Sequence, residues 1–260
     1  MHNLRRIPVT IIIGVKSKDG IVVGSDSQTT SLSSTAKAMD TDKIAIVPFV
    51  NGDVLLAQAG NASCCARALE IFRTHAEGVK IETSRTAADI AEVAIARINT
   101  HLRLYNQQCK TPDDVARLFR ENDFSLLVAC FYKGAPYIHV ASLQDNGLAF
   151  EQKKDYAVTG CGANIAQMFL CDLPISSMDL DNLNGAVAFI IEKVKKHDWA
   201  CGGMTHLAVL NSTGKASKAS SKVMNKVVKA CQEVEEEEKK SWQENMKRMI
   251  ERIGSKYKKD

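Results

Sequence analysis

Two short apolar runs on either side of a polar turn constrain the fold of this chain more than any other feature. Thr10–Val15 and Ile21–Gly24 are rich in β-branched residues, and the turn between them ends in Asp19-Gly20. Asp-Gly between two such runs is a strong signal for a β-hairpin. The hairpin would return Asp26 to the end of the sheet at which Thr10 lies, so that a hydroxyl and a carboxylate come together. Taken alone, the stretch fits an ordinary buried hairpin equally well.

The overall composition excludes several classes of protein. Hydrophobic residues make up 45% and charged residues 25% of the 260 residues, which is ordinary for a globular chain with one large core or two small ones. The net charge of +4 is small, and no basic stretch is interleaved with aromatic residues, so we predict no nucleic-acid partner. No apolar run approaches the ~18 residues of a membrane span, and the N-terminus is a poor signal peptide. We therefore predict a cytoplasmic protein without a membrane partner.

The eight cysteines contain no C-x-x-C pair and no zinc-type spacing with histidine. Several lie inside apolar segments, as Cys130 does in SLLVACFY. Such cysteines are typical of buried free thiols in a reducing compartment. We predict no metal ion and no cofactor.

The order of predicted elements indicates the architecture. A first block of strands runs from the hairpin to about Ala59, and helices follow it to about Asn122. A second block of three strands is predicted at Phe124–Tyr132, Pro136–Ser142 and Ala149–Val158. Further helices then precede a last strand at Met204–Leu210. Because each block of strands is followed by helices, we predict an α+β fold in which two antiparallel sheets stack, with helices covering both outer faces.

The chain divides into three segments in this interpretation. Residues 1–9 form an N-terminal extension or propeptide, and residues 10–212 form the domain. Residues 213–260 form an amphipathic helical extension, because apolar residues keep helical spacing around the acidic run Glu233–Glu238.

Five separated positions form a recognisable pattern. They are Thr10, Asp26, Lys43, the turn Ala59-Gly60-Asn61-Ala62, and the stretch Asp198-Trp199-Ala200-Cys201-Gly202-Gly203. Together they resemble the proteasome β subunits and their bacterial relative, the HslV peptidase. Those proteins are N-terminal nucleophile (Ntn) hydrolases with a four-layer αββα sandwich. The resemblance covers roughly residues 8–210 and implies the same fold here.

The resemblance also implies roles for individual residues. The nucleophilic threonine of the family matches Thr10, its carboxylate matches Asp26, and its active-site lysine matches Lys43. The glycine whose N–H faces the oxyanion matches Gly60. The two substrate-contacting positions of the family match Thr30 and Gln58.

Three positions depart from the family pattern. The D-S-R-x-T motif reads Asp26-Ser27-Gln28-Thr29-Thr30, with glutamine in place of the basic residue. The G-S-G motif appears as Gly160-Cys161-Gly162, and the serine of D-x-x-S-G-G has become Cys201, three residues after Asp198. By the resemblance, Asp198, Cys161 and Cys201 belong to the catalytic set. A thiol is a weak hydrogen-bonding group, so we expect a softer polar network around the nucleophile.

Three functions fit this pattern. The first is a threonine endopeptidase acting on peptide or protein substrates in a homo-oligomeric ring, with Thr10 exposed by removal of residues 1–9. The resemblance does not identify an ATPase or another regulator. The second is a non-catalytic ring or scaffold subunit with an intact N-terminus, since Val9 stands where self-processing subunits usually have glycine. The third is an Ntn amidohydrolase for a small amide.

Overall fold

The computed structural model describes residues 10–30, 37–38, 41–144 and 147–257. In these residues it contains two five-stranded antiparallel sheets and a small two-stranded ladder. The first sheet has, in spatial order, β10 (Tyr156–Gly160), β1 (Ile11–Ser17), β2 (Gly20–Asp26), β11 (Thr205–Asn211) and β12 (Ala216–Lys218). The second has β5 (Ile44–Phe49), β6 (Gly52–Gly60), β7 (Phe124–Tyr132), β8 (Ala135–Gln144) and β9 (Gly147–Lys153). The ladder pairs β3 (Thr29–Thr30) with β4 (Lys37–Ala38).

Helices cover the outer face of each sheet. The second sheet packs against α1 (Ala62–Ala76), α2 (Thr86–Asn106) and α3 (Pro112–Glu121). The first sheet packs against α4 (Ala163–Leu170), α5 (Leu180–His197) and α6 (Ser221–Tyr257). A third apolar cluster, which includes Ile12, Leu55 and Leu127, lies between the two sheets. The predicted αββα order of layers is confirmed.

The first strand is apolar at nearly every position because both of its faces are buried. Ile11, Ile13 and Val15 pack on the helical side, whereas Ile12 points between the sheets. All four side chains are fully buried. A strand that is covered on both faces loses the polar–apolar alternation of a half-exposed strand. The run that predicted the hairpin is therefore the centre of the fold.

Threonine followed by proline is typical of a helix start, and α3 begins at Thr111-Pro112. The side chain of Thr111 accepts a hydrogen bond from the N–H of Asp114, and Pro112 occupies the first helical turn, where no N–H is needed. Asn61 caps α1 in the same way by accepting from the N–H of Cys64. This second cap fixes the direction of the chain as it leaves the end of β6.

One predicted strand is wrong. The sequence predicts a single strand over Ala149–Val158, but a bend at residues 154–155 divides this stretch into β9 and β10. The two strands belong to different sheets, so the chain crosses the sandwich at this bend. The crossing carries the chain towards Thr10, since β10 pairs with β1 in the register Gly160 to Ile11.

The two ends of the chain complete the description. The extension predicted for residues 1–9 lies outside the described residues. The domain boundary at residue 212 stays a prediction, although β12 still pairs with β11 beyond it and α6 begins only at Ser221. None of the helices in the described part of the chain is both long and apolar enough to cross a membrane.

Candidate active site

Thr10 is buried directly before β1, with 2% of its surface exposed. The pairing of β1 with β2 sets Ile12 opposite Ser25, so Asp26 ends the neighbouring strand beside Thr10. The N–H of Ile11 donates to Oδ1 of Asp26 at 3.1 Å. The hairpin therefore brings the predicted hydroxyl and carboxylate together.

Lys43 reaches this point from the other sheet. It directly precedes β5, and only 4% of its surface is exposed. Its Nζ donates to Oγ1 of Thr10, to Oδ1 of Asp26 at 2.6 Å and to the carbonyl oxygen of Gln28 at 2.6 Å. A lysine ammonium has three N–H donors, so these three acceptors use all of them. One cation is thus held against the threonine hydroxyl by a carboxylate and a carbonyl.

The carboxylate of Asp26 is fully buried and is satisfied by three donors. Oδ1 accepts from Lys43 and from the N–H of Ile11, while Oδ2 accepts from the N–H of Gly202 at 2.9 Å. Burial lowers the pKa of Lys43 below its usual value, and the charge and hydrogen bond of Asp26 oppose that shift. The carboxylate therefore helps to keep the lysine charged at a site that is almost fully buried.

Cys161, in the turn after β10, makes two hydrogen bonds with the backbone of Thr10. The N–H of Thr10 donates to Sγ of Cys161 at 3.2 Å, and the thiol donates to the carbonyl oxygen of Thr10 at 3.2 Å. The sulfur also lies 3.5 Å from Sγ of Cys201. The hydrogen bond between the two thiols lowers the pKa of Cys161, and the same bond together with burial raises the pKa of Cys201. Either sulfur can be the donor in this contact.

Two glycines permit the close approach of these segments. Gly160 has a φ of 99°, and a Cβ there would lie 2.2 Å from the carbonyl oxygen of Thr10. A Cβ on Gly202 would lie 2.4 Å from Oε1 of Gln28. A side chain at position 160 would therefore push the backbone of Thr10 away. At position 202 it would displace the end of the Gln28 side chain, which bonds to Ala200.

Asp198 shapes the loop that carries Cys201. It follows the last turn of α5; its Oδ1 accepts from the N–H of Ala200 at 2.9 Å, and its carbonyl accepts from the N–H of Cys201 at 3.0 Å. The side-chain amide of Gln28 donates to the carbonyl of Ala200 at 3.0 Å, which ties this loop to the end of β2. Among the described residues, no hydrogen bond joins the Asp198 carboxylate directly to Thr10. A carboxylate oxygen of Asp198 instead lies within 4.8 Å of the sulfurs of Cys161 and Cys201.

The positions predicted for the oxyanion and the substrate lie on β6 and β3. Gly60 ends β6 with a φ of 114°. Within the described part of the chain, Gly60 makes no hydrogen bond to Thr10. The N–H of Gln58 donates to the carbonyl of Lys43 at 3.1 Å, which sets this part of β6 beside the lysine. Oε1 of Gln58 is buried and has no hydrogen-bond partner in the part of the chain that the structure describes. Thr30 lies in β3, and its side chain falls outside the description.

The structure therefore brings six of the predicted residues into one cluster: Thr10, Asp26, Lys43, Cys161, Asp198 and Cys201. Reasoning from sequence missed two backbone groups that hold the cluster, the carbonyl of Gln28 and the N–H of Gly202. The sequence distinguished Gln28 only because glutamine replaces the basic residue of the D-S-R-x-T motif. No side-chain pattern marks a backbone group that becomes a ligand through tertiary contact.

Two stacked antiparallel sheets between helical layers, with a buried threonine at the start of the first strand, define the fold class of the Ntn hydrolases. The chain belongs to the proteasome subunit family, since the family model described as "Proteasome subunit" matches residues 9–210. A comparison with curated proteins gave no match.

Solved structures of the protein Anbu share the fold. The ancestral β-subunit Anbu from Yersinia bercovieri has a TM-score of 0.66 and 11% identity, over 89% of this chain and 96% of its own. The helical assembly of the Anbu complex from Pseudomonas aeruginosa has a TM-score of 0.64 and 14% identity, over 93% of this chain and 96% of its own. Anbu from Hyphomicrobium sp. strain MC1 has a TM-score of 0.63 and 12% identity, over 87% of this chain and 95% of its own. At these identities the likeness shows the fold alone.

Proposed function

We propose that this chain is a threonine endopeptidase that hydrolyses peptide bonds within an oligomeric assembly, with Thr10 as nucleophile after residues 1–9 are removed. One observation carries the proposal. The ammonium of Lys43, held by Asp26 and the Gln28 carbonyl, donates its remaining hydrogen bond to Oγ1 of Thr10. A buried cation placed on a hydroxyl stabilises negative charge on that oxygen, which a nucleophile requires.

The base is the free α-amine that cleavage of the Val9–Thr10 bond would create. All three Lys43 donors are in use, so the hydroxyl proton of Thr10 needs another acceptor. An α-amine has a pKa of about 7.7–8.0 and is partly neutral near pH 7. The nearby Lys43 cation lowers this pKa further by like-charge repulsion. The amine takes the proton as Oγ1 attacks the substrate carbonyl, and later returns it to the leaving amine.

Other residues would position the substrate and the amine. Cys161 already accepts a hydrogen bond from the nitrogen of Thr10, so it would orient the amine after cleavage. The unpartnered Oε1 of Gln58 supports a contact with a substrate N–H. We assign the oxyanion donor to the N–H of Gly60, a type of group whose loss typically costs on the order of 10²–10³ in rate. Thr30 is assigned a substrate contact by the family resemblance.

We further propose that the chain functions as a homo-oligomer. The support is membership of the proteasome subunit family and likeness to an Anbu complex described as a helical assembly. Whether the subunits close into a ring or continue as a helix depends on the rotation between neighbours. Sedimentation of the purified protein measures the size of the assembly.

The intact mass of the purified chain tests the proposed function. A mass matching residues 10–260, with labelling of Thr10 by a peptide vinyl sulfone, is the expected result. Thr10→Ala should abolish labelling and peptide hydrolysis, whereas Thr100→Ala, on an exposed face of α2, should change neither. An assembled chain that keeps all 260 residues and takes no label would contradict the peptidase and support the scaffold subunit.

A further inference from the structure

Three side chains with metal-binding chemistry converge behind Thr10. Sγ of Cys161, Sγ of Cys201 and a carboxylate oxygen of Asp198 all lie within 4.8 Å of one another. The two sulfurs are 3.5 Å apart. Cys161 comes from the turn after β10, whereas Asp198 and Cys201 come from the loop after α5. We refer to these three residues as the thiol–carboxylate cluster.

We propose that the thiol–carboxylate cluster binds one Zn²⁺ ion. Zinc takes tetrahedral sets of sulfur, nitrogen and oxygen ligands, with a Zn–S distance of about 2.3 Å. Two thiolates on one tetrahedral zinc ion are then about 3.8 Å apart. The observed sulfur separation of 3.5 Å needs only a small adjustment to reach this value.

The donor set selects zinc over other cations. Mg²⁺ and Ca²⁺ prefer oxygen ligands throughout, and two sulfurs disfavour both of them. Cu(I) prefers sulfur alone, so the carboxylate of Asp198 favours Zn²⁺. Binding of Zn²⁺ would displace the two thiol protons, which pass to the solvent. The resulting two thiolates and one carboxylate carry three negative charges, and Zn²⁺ reduces this to one. The Lys43 ammonium lies close enough to interact with both sulfurs, and it favours that remaining negative charge.

The cluster is held in place before any ion binds. One oxygen of Asp198 accepts from the N–H of Ala200, which fixes the carboxylate within its loop. The loop is fixed to β2 by the hydrogen bonds of Gln28 to Ala200 and of Gly202 to Asp26. Outer hydrogen bonds of this kind orient ligands and strengthen metal binding.

The fourth coordination position lies at the nitrogen of Thr10. This nitrogen is 3.2 Å from Sγ of Cys161, a separation close to that of two ligands on one tetrahedral ion. In the uncut chain this nitrogen is an amide and does not bind the ion, so a water molecule would complete the coordination. If the chain is cut as the proposed function requires, the free amine would bind the ion. Zinc would then occupy the lone pair that serves as the base, so the loaded enzyme would be reversibly inhibited.

Zinc titration of the full-length protein tests the site. The protein is reduced with a phosphine, freed of metal, and titrated with Zn²⁺ against a chromophoric chelator. One equivalent should bind, and Cys161→Ser, Cys201→Ser and Asp198→Asn should each weaken binding at least about 10-fold, the lower end of the losses known for outer-shell changes. Cys171→Ser is the matched control, since Cys171 is an exposed thiol outside the cluster, and its affinity should equal that of the parent chain.

Two further readouts do not depend on activity. Co²⁺ should give a sulfur-to-metal charge-transfer band that weakens in each cysteine variant of the cluster but not in Cys171→Ser. Zn²⁺ should raise the unfolding temperature of the parent chain, and it should raise that of Cys161→Ser less at the same concentration. Circular dichroism confirms that each variant is folded.

The outcomes separate this inference from the proposed peptidase. Failure to bind zinc, equal binding by the cluster variants, or an intramolecular disulfide that persists in the phosphine would each overturn the zinc site. A chain that stays uncut by intact mass and binds one zinc ion supports the three-residue site and contradicts the peptidase. A cut, active chain whose hydrolysis is unaffected by saturating bound zinc overturns the fourth ligand.

Discussion

Nζ of Lys43 lies 2.6 Å from Oδ1 of Asp26, and the two side chains are 4% and 0% exposed. Taking both charges out of water costs more than a typical exposed ion pair returns. The pair is compensated by further hydrogen bonds from the N–H groups of Ile11 and Gly202 to Asp26. Because the same lysine contacts Oγ1 of Thr10, the ion pair holds a positive charge next to the threonine hydroxyl.

Breaking this pair should destabilise the fold as well as the site. Lys43→Ala leaves a buried carboxylate without its counter-ion, so we expect the free energy of unfolding to fall by about 3–5 kcal/mol. Asp26→Asn combined with Lys43→Ala removes both charges and should cost less than the sum of Asp26→Asn and Lys43→Ala alone. Urea unfolding of the two single variants and the double variant measures the coupling. Strict additivity would show that the two charges do not interact.

Replacing Gly160 should cost stability because its backbone is strained for any other residue. Gly160→Ala would place a Cβ 2.2 Å from the carbonyl of Thr10 at a φ of 99°, and we expect a loss of about 2 kcal/mol or more. Gly185→Ala is the control, since Gly185 lies within α5 with open space around it. Alanine in a helix should stabilise by up to about 1 kcal/mol. Equal effects of the two changes on urea unfolding would contradict the packing of Gly160 against Thr10.

The layers of the fold could be predicted from sequence because local patterns carry them. The apolar runs of the hairpin and the Thr111-Pro112 helix start depend on residues close in the chain, and the structure contains both. The strand predicted at Ala149–Val158 failed because apolar periodicity does not report which sheet a residue joins. A bend of charged residues at 154–155 divides it, and its two halves lie in different sheets.

The candidate site was only partly accessible to the same reasoning. Thr10, Asp26 and Lys43 came from a family pattern that spans distant segments, and their contacts are tertiary. Spacing rules for cysteine look for ligands that are close in sequence, but Cys161 and Cys201 are 40 residues apart. The prediction of no metal ion followed from that absence of spacing. The proximity of Cys161 and Cys201 depends on where β10 and α5 end, and no local sequence rule determines this.

His139 should make the stability of the protein fall in mild acid. Its Nε2 donates to the carbonyl of Ser84 at 3.0 Å, and burial lowers the pKa of His139 below its usual value. The unfolded chain then binds a proton more readily than the folded one, below a pH of about 6.5. Stability therefore falls as the pH drops from about 6.5 towards the folded pKa, by up to about 1.4 kcal/mol per pH unit.

His139→Gln keeps an N–H donor for Ser84 but does not titrate. We expect its free energy of unfolding to fall less steeply than that of the parent chain between pH 7 and pH 5. Urea unfolding at several pH values measures the two slopes. Parallel curves for the two chains would show that His139 does not contribute to the acid sensitivity.

The distal part of α6 should serve assembly rather than folding of the domain. The helix is anchored near its start by the buried residues Met224 and Cys231, and by ion pairs of Lys193 with Glu235 and Glu238. Beyond Glu238, the described side chains are exposed apart from a half-buried Met246. Three large apolar side chains are nevertheless exposed on this segment: Trp242, Met249 and Ile250.

Removal of residues 239–260 tests this separation of roles. Positions 242, 246, 249 and 250 follow helical spacing and form an apolar stripe, which favours a contact with another copy of the chain. The truncated chain should keep its near-ultraviolet circular dichroism, because the anchored part of α6 remains, and should sediment as a smaller species. Trp242→Glu should weaken the assembly in the same direction, whereas Lys229→Glu, on the exposed proximal face, should not. An unchanged sedimentation profile after truncation would exclude the distal helix from the subunit interface.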